Sequence, residues 1–252
     1  LCRLVANVLF VEDSRWPNMF HPRVQAYNAL VFEALTSEER QAFMTIYNDY
    51  FYERHNEMWG ALAYRKLSMV LERTNMLVTA EDLGVLPDCV QPTLDALRIL
   101  TLEVQTLPKQ HGLEFAHLEA NPYLSVATIS THDMPPMRLW WQERPEAAQH
   151  YYRDRMQKEG RPPVALTTTL AEEIVSRHLY SPSMLCLLSL QDWLAVDAEM
   201  RNPDPRSERI NIPGDCYNRW SYRMHVNIEQ LIADEQLNKK LRTMVERSKR
   251  NV

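Results

Sequence analysis

Four short apolar runs, at residues 76–79, 97–104, 123–129 and 184–190, are separated by longer stretches that read as helix or loop. Connections of that length do not close hairpins. They cross over and return the chain parallel to itself, so the pattern constrains the chain to an α/β fold with parallel βαβ units. Two of the runs end in acidic motifs. Ala80-Glu81-Asp82-Leu83-Gly84 follows the first, and Ser130-Thr131-His132-Asp133 follows the third. In a (β/α)₈ barrel the chemistry sits on the loops that leave the C-terminal ends of the strands, and the spacing from Glu81 to Asp133 suits such a barrel.

The residues before this region have a different texture. The apolar segment that ends Val8-Leu9-Phe10-Val11 is compatible with a strand or a short buried helix, and a Pro-containing loop follows to Arg23. Thr36 with Glu39 forms a capping box ahead of Phe43, Ile46, Tyr47, Tyr50 and Phe51, which share one helical face. A further helix is expected over residues 58–72. We therefore expect a mainly helical segment over 1–75 and an α/β segment over 76–252. In the second segment, helices are expected over 146–158, over 169–178 with a Thr169/Glu172 box, and over 227–247, with a surface loop over 201–215. The chain begins at Leu1 within an apolar stretch, and we expect it to be a piece of a longer protein.

Composition narrows the function. The 252 residues are 45% hydrophobic and 24% charged, with a net charge of -5 and no long run of like charges. That balance favours neither nucleic acid nor an acidic membrane surface as partner, and a neutral substrate fits it better. Cys2, Cys89, Cys186 and Cys216 are scattered and lack zinc spacing, so they read as free intracellular thiols, which makes the cytoplasm the expected location. Five glycines leave no phosphate-binding loop, and the histidines form no His-x-x-x-His pair; His111 and His117 make only a weak ligand pair. No metal or organic cofactor is expected.

A glycosidic bond is broken by two carboxylates, one acting as acid then base and the other as nucleophile in retaining enzymes. Glu81 suits the acid/base role, with apolar neighbours Val78 and Leu83 to keep it dry. A helix or loop cap explains Glu81 and Asp82 as readily. Asp133 beside His132 suits stabilisation of positive charge while His132 holds a sugar hydroxyl, although a strand-end turn accounts for a lone His-Asp pair more economically. Trp140 and Trp141 offer flat faces to sugar rings, or simply pack in a core. Gln191-Asp192, after the fourth run, is either a ligand contact at the same rim or a helix cap.

These motifs together resemble the 4-alpha-glucanotransferases, the amylomaltase and disproportionating-enzyme family of the alpha-amylase clan. Ala80-Glu81-Asp82-Leu83-Gly84 is similar to that family's acid/base motif and Thr131-His132-Asp133 to its stabiliser motif. Leu190-Gln191-Asp192 and Asn218-Arg219-Trp220-Ser221-Tyr222-Arg223 resemble its closing segments. The first 75 residues resemble the subgroup similar to the plant cytosolic disproportionating enzyme. The resemblance implies the C-terminal half of a TIM barrel, strands five to eight, preceded by a helical insertion. It implies Glu81 as general acid/base, Asp133 as transition-state stabiliser and His132 as the holder of the glucosyl unit where cleavage occurs; Asp82, Gln191 and Trp140 are further candidate substrate contacts. The implied reaction moves alpha-1,4-glucan segments between maltodextrins, or to glucose, with retention.

Two departures bear on activity. The family's nucleophilic aspartate lies in an Arg-Ile-Asp-His-type motif that this sequence lacks, and Met134-Pro135-Pro136-Met137 stand where the family has small or polar residues. Without its nucleophile the chain alone is expected to be inactive, requiring the N-terminal half of the barrel as partner. The rival reading is a noncatalytic glucan-binding or regulatory remnant.

Overall fold

The computed structural model describes residues 5–84, 86–110 and 112–250. Cys2 and His111 lie outside them. Contacts divide the chain into two units, Leu1–Met76 with Val85–Leu97, and Leu77–Gly84 with Arg98–Val252.

In the first unit, β1 (Phe10–Glu12) pairs antiparallel with β2 (Phe20–Pro22). Strand β1 begins in the apolar segment compatible with a strand, whereas β2 falls within the stretch expected to be a loop. The turn between them is tied by Asp13, whose carboxylate accepts from the backbone N–H groups of Arg15 and Trp16 and meets His21 on the returning strand. Helix α1 (Leu30–Glu33) is followed by α2 (Ser37–Asn48), which opens on the expected capping box: Thr36 accepts from the Glu39 N–H while Glu39 accepts from the Thr36 N–H. The chain then widens into a π-helical turn at Asp49–Arg54 and continues as α3 (His55–Leu71). Phe43 and Tyr47 on α2 bury their rings with Ala26, flanked by Phe32 and Phe51. Helix α4 (Val90–Leu97) packs against α3, where Gly60 sits 3.4 Å from Cys89 Cβ if given a Cβ of its own.

The second unit holds a parallel sheet in the order β3 (Thr101–Val104), β4 (Ser125–Thr128), β5 (Leu185–Cys186). The strand expected over 76–79 is reduced to a single parallel bridge between Thr79 and Leu100, held by Ala80 N–H to Leu100 O at 2.8 Å and Leu100 N–H to Val78 O at 3.1 Å. The strands are shorter than the apolar runs suggest, for local reasons. Leu97 still belongs to α4, and Arg98 turns the chain with φ 53°, so β3 starts only at Thr101. Ser189 ends the fourth run by capping α8 (Leu190–Leu194), its hydroxyl accepting from the Asp192 N–H.

The rest of this unit is mainly helical. Met137–Glu143 forms α5 and Pro145–His150 forms α6, which passes into a π-helical turn at Tyr151–Arg155 rather than running on to 158 as one helix. Helix α7 (Thr168–Leu179) is capped by Thr167, not by the expected Thr169/Glu172 box. The last helical stretch is two helices, α9 (Ile228–Ala233) and α10 (Glu235–Arg247), because Asp234 leaves the helical conformation to cap the second through the Leu237 N–H. The core gathers Trp141, Tyr151, Val175, Leu194, Val196 and Leu237, each no more than 2% exposed. Cys89, Cys186 and Cys216 are free, and burial pushes the Cys186 thiol up to about 11, which keeps it protonated. Among the described residues no helix is long and apolar enough to cross a membrane.

Candidate active site

Glu81 and Asp133 leave the same end of the parallel sheet. Residues 78–80 lie beside the start of β3, and β3 lies beside β4, so the two acidic segments emerge two strand positions apart, roughly 10 Å in sheet spacing. Glu81 is exposed, and among the described residues no protein group bonds its carboxylate. The dry surroundings expected from Val78 and Leu83 are therefore not supplied by these residues, since both are only partly buried.

Asp82 has a different task from the substrate contact expected of it. Successive residues of an extended segment point to opposite faces, so with Glu81 outward Asp82 turns inward and is 4% exposed. Its Oδ1 accepts from the Leu102 N–H at 2.8 Å, and its Oδ2 accepts from Lys109 Nζ at 2.6 Å. Lys109 also reaches Glu103 at 2.7 Å, and Thr101 Oγ1 donates to the same Glu103 oxygen at 2.9 Å. This buried charge network fixes the segment that carries Glu81 to β3. A buried carboxylate needs such partners, because desolvation without them is costly.

Asp133 stands five residues beyond β4, on a turn in which its N–H donates to Thr131 Oγ1 at 3.3 Å. Its Oδ2 lies 3.3 Å from His132 Nε2, and the two side chains are 42% and 47% exposed, so both remain open to a ligand. Asn211 donates from Nδ2 to Asp133 Oδ1 at 2.6 Å, across 78 residues of sequence. Trp220 packs on His132 with ring centroids 5.0 Å apart.

Next to Asp133 opens a cleft of about 440 Å³, floored by Phe115, Pro135 and Trp140 and rimmed by Glu143, Arg144 and Arg209. Trp140 is half-buried and meets Phe115 and Tyr151 edge to face, which sets its indole rigidly in that floor. Trp141, by contrast, is core: it is 2% exposed, and its Nε1 donates to Pro163 O at 2.9 Å. Apolar floor and charged rim together suit a ligand with flat faces and hydroxyl edges.

Gln191 and Asp192 are not at the rim. Asp192 is 1% exposed and accepts from Ser130 Oγ, Ser189 Oγ and the Met137 N–H. Burial raises its carboxyl above the usual range, against the pull of those three donors. Gln191 is 5% exposed and donates to Glu208 O at 3.3 Å. Asp192 ties the loop after β4 to the helix after β5, and Gln191 ties that helix to Glu208. Nor is the stretch over 201–215 a plain surface loop, for Glu208 is 1% exposed and faces Arg138 Nη1 at 3.4 Å. Burial pushes the Glu208 carboxyl up to about 7, with Arg138 opposing the rise. Asn211 and Glu208 were invisible to motif reading because each acts across the fold. Among the described residues no group of three or more His, Cys, Asp and Glu side chains is arranged to hold a metal ion.

Comparison with known proteins places the chain. It is 29% identical over 248 residues to 4-alpha-glucanotransferase DPE2 of Oryza sativa subsp. japonica, a match that covers 98% of this chain and 26% of the rice protein. It is 32% identical over 182 residues to 4-alpha-glucanotransferase of Chlamydia muridarum, covering 71% of this chain and 34% of the other. The chain thus spans about a quarter to a third of the length of these relatives. In fold it resembles the amylomaltase of Streptococcus agalactiae, solved in complex with acarbose, with a TM-score of 0.53 at 17% identity over 75% of this chain and 35% of that one. The amylomaltase of Corynebacterium glutamicum gives 0.51 at 21% identity over 71% of this chain and 30% of that one. Residues 18–229 match the family model of the 4-alpha-glucanotransferases, Glyco_hydro_77, and the chain belongs to that family.

Proposed function

We propose that this chain carries the acid/base and the stabilising carboxylate of a retaining 4-alpha-glucanotransferase, which moves alpha-1,4-glucan segments between maltodextrins or to glucose. Glu81 protonates the leaving glycosidic oxygen and then deprotonates the incoming 4-hydroxyl. Asp133 stabilises positive charge at the anomeric carbon while His132 holds the glucosyl unit, and Trp140 stacks on a neighbouring ring. Asp82, Gln191 and Asp192 support these groups from beneath. The sheet stands for strands five to eight of a (β/α)₈ barrel and the first unit for a helical insertion. A partner half supplies the nucleophile, and without it the chain is inactive.

The observation that carries this reading is the departure of Glu81 and Asp133 from one end of one parallel sheet, each open to solvent. The cleft beside Asp133 adds an apolar floor suited to sugar faces. The test is a chimera in which this chain replaces its matched segment in the rice protein, assayed for glucosyl transfer from maltodextrin to glucose. We expect transfer from the chimera and none from the chain alone. Glu81→Gln should lower turnover roughly 10²- to 10⁴-fold, the range of lost acid/base catalysis. Near-unchanged transfer by that variant removes Glu81 from the role, and glucan binding without turnover by the chimera favours the remnant reading.

A further inference from the structure

The segment following Glu208 reads Arg209-Ile210-Asn211-Ile212-Pro213-Gly214-Asp215-Cys216-Tyr217-Asn218. Its backbone doubles back twice. Gly214 turns with φ 85°, a conformation side chains resist, and the Asp215 N–H reaches Ile212 O at 3.1 Å. A second turn follows, with the Asn218 N–H on Asp215 O at 3.1 Å and the Asp215 carboxylate accepting from the Tyr217 N–H. The result brings Asn218 onto Asn211. Asn218 Nδ2 donates to Asn211 Oδ1 at 2.6 Å, and Asn211 Nδ2 donates in turn to Asp133 Oδ1 at 2.6 Å.

The two ends of an amide are chemically opposite, one an acceptor and the other a donor. A donor on Asn211 Oδ1 therefore decides that the NH₂ end faces Asp133. Both ends of the loop are anchored beyond the relay. Gln191 holds Glu208 O, Arg209 Nε donates to Asn211 O at 3.1 Å, and Trp220 lies on the His132 ring. The Asp133 carboxylate is thus gripped at Oδ1 by Asn211, while Oδ2 faces His132.

We propose that Asn211 is a positioning residue for Asp133, with Asn218 setting the direction of the Asn211 amide, so that loop 208–220 orients the stabilising carboxylate. The proposal rests on the glucanotransferase reading above. A carboxylate free to rotate presents its charge to the developing cation in fewer of its orientations, which lowers the rate more than the affinity.

The test compares Asn211→Ala, Asn218→Ala and the isosteric Asn218→Asp in the rice chimera, with the same changes in the 252-residue chain read by NMR of the Asn211 side-chain amide. At neutral pH the carboxylate of Asn218→Asp accepts but does not donate, so it removes the relay with little change of shape. We expect kcat to fall about tenfold to a hundredfold with KM for maltodextrin unchanged, and the Asn211 NH₂ protons to exchange faster in both Asn218 variants. An inactive wild-type chimera overturns the glucanotransferase reading and with it the catalytic meaning of the relay. An active wild type whose Asn218→Asp variant keeps its kcat, or an Asn211 amide unchanged in exchange, overturns the relay alone. A rise in KM at constant kcat also overturns it, because that pattern marks a substrate contact rather than a positioning role.

Discussion

The second unit pairs its parallel sheet with a core that, among the described residues, joins nineteen buried side chains from helices and loops, α5 and α7 prominent among them. The first unit has a hairpin, helices α1 to α4 and a small buried cluster of Ala26, Phe43 and Tyr47, while Trp16, Phe20, Leu30, Met58 and Trp59 stay exposed. The contrast separates two ways of holding helices. In the second unit a helix is held by the apolar area it buries against other helices and loops. In the first, local devices such as the capping box at Thr36 and the aromatic ladder from Phe43 through Tyr47 to Phe51 carry a larger share.

The sharpest test of that difference is a pair of truncations. Trp141→Ala in the second unit should cost about 3–5 kcal/mol in denaturant unfolding, since it empties a fully packed site and orphans Pro163 O. Phe43→Ala in the first unit should cost less, because several of its neighbours are already partly open to water. Equal losses would erase the distinction.

Titration divides the units as well. In the first, a hydrogen bond from His21, with help from the Arg15 and Trp16 N–H groups, holds the Asp13 carboxyl down at about 2. Its stabilising effect is complete above the ordinary value of 3.8 and is lost as pH falls toward 2. In the second, the responsive groups are buried and oppose one another. Native Glu208 titrates near 7 against 4.5 for the free side chain, so the folded state binds the extra proton and stability falls as pH rises through that window. His178 is fully buried with Nε2 unpartnered among the described residues, and burial lowers it to about 4 from 6.5. There the unfolded state binds the extra proton, so stability rises with pH over much of the same range. Between pH 4.5 and 6.5 these two contributions therefore run in opposite directions. Glu208→Gln should remove the falling one, so that variant gains about 2 kcal/mol relative to wild type across that interval. Parallel wild-type and variant curves would show that Glu208 does not titrate there.

The smallest effect belongs to the first unit. Thr36→Ala removes the acceptor for the Glu39 N–H and should destabilise α2 by about 1 kcal/mol, seen as faster amide exchange in its first turn. Unchanged exchange there would return that helix to tertiary packing.

These contrasts also mark which features sequence reading reaches. Thr36 and Glu39 were readable because a capping box spans four consecutive residues and needs nothing from elsewhere. The parallel sheet was readable from the spacing of apolar runs, while the strand ends were not, since Arg98 and Ser189 stop the strands by local backbone geometry that apolarity does not encode. Glu81 and Asp133 stood out as acids following strands. Asp82, Gln191 and Asp192 stood out for the same reason, yet the fold buries them as ties.

The order of residues alone thus settled the periodicities, the local cap and the identity of the acids available for chemistry, because those depend on neighbours within one or two turns of chain. Which acid faces water, which is neutralised by Lys109 or Arg138, and which is gripped by an amide 78 residues away emerged only on folding. Burial and partnership are properties of distance in space, and electrostatic energy depends on both.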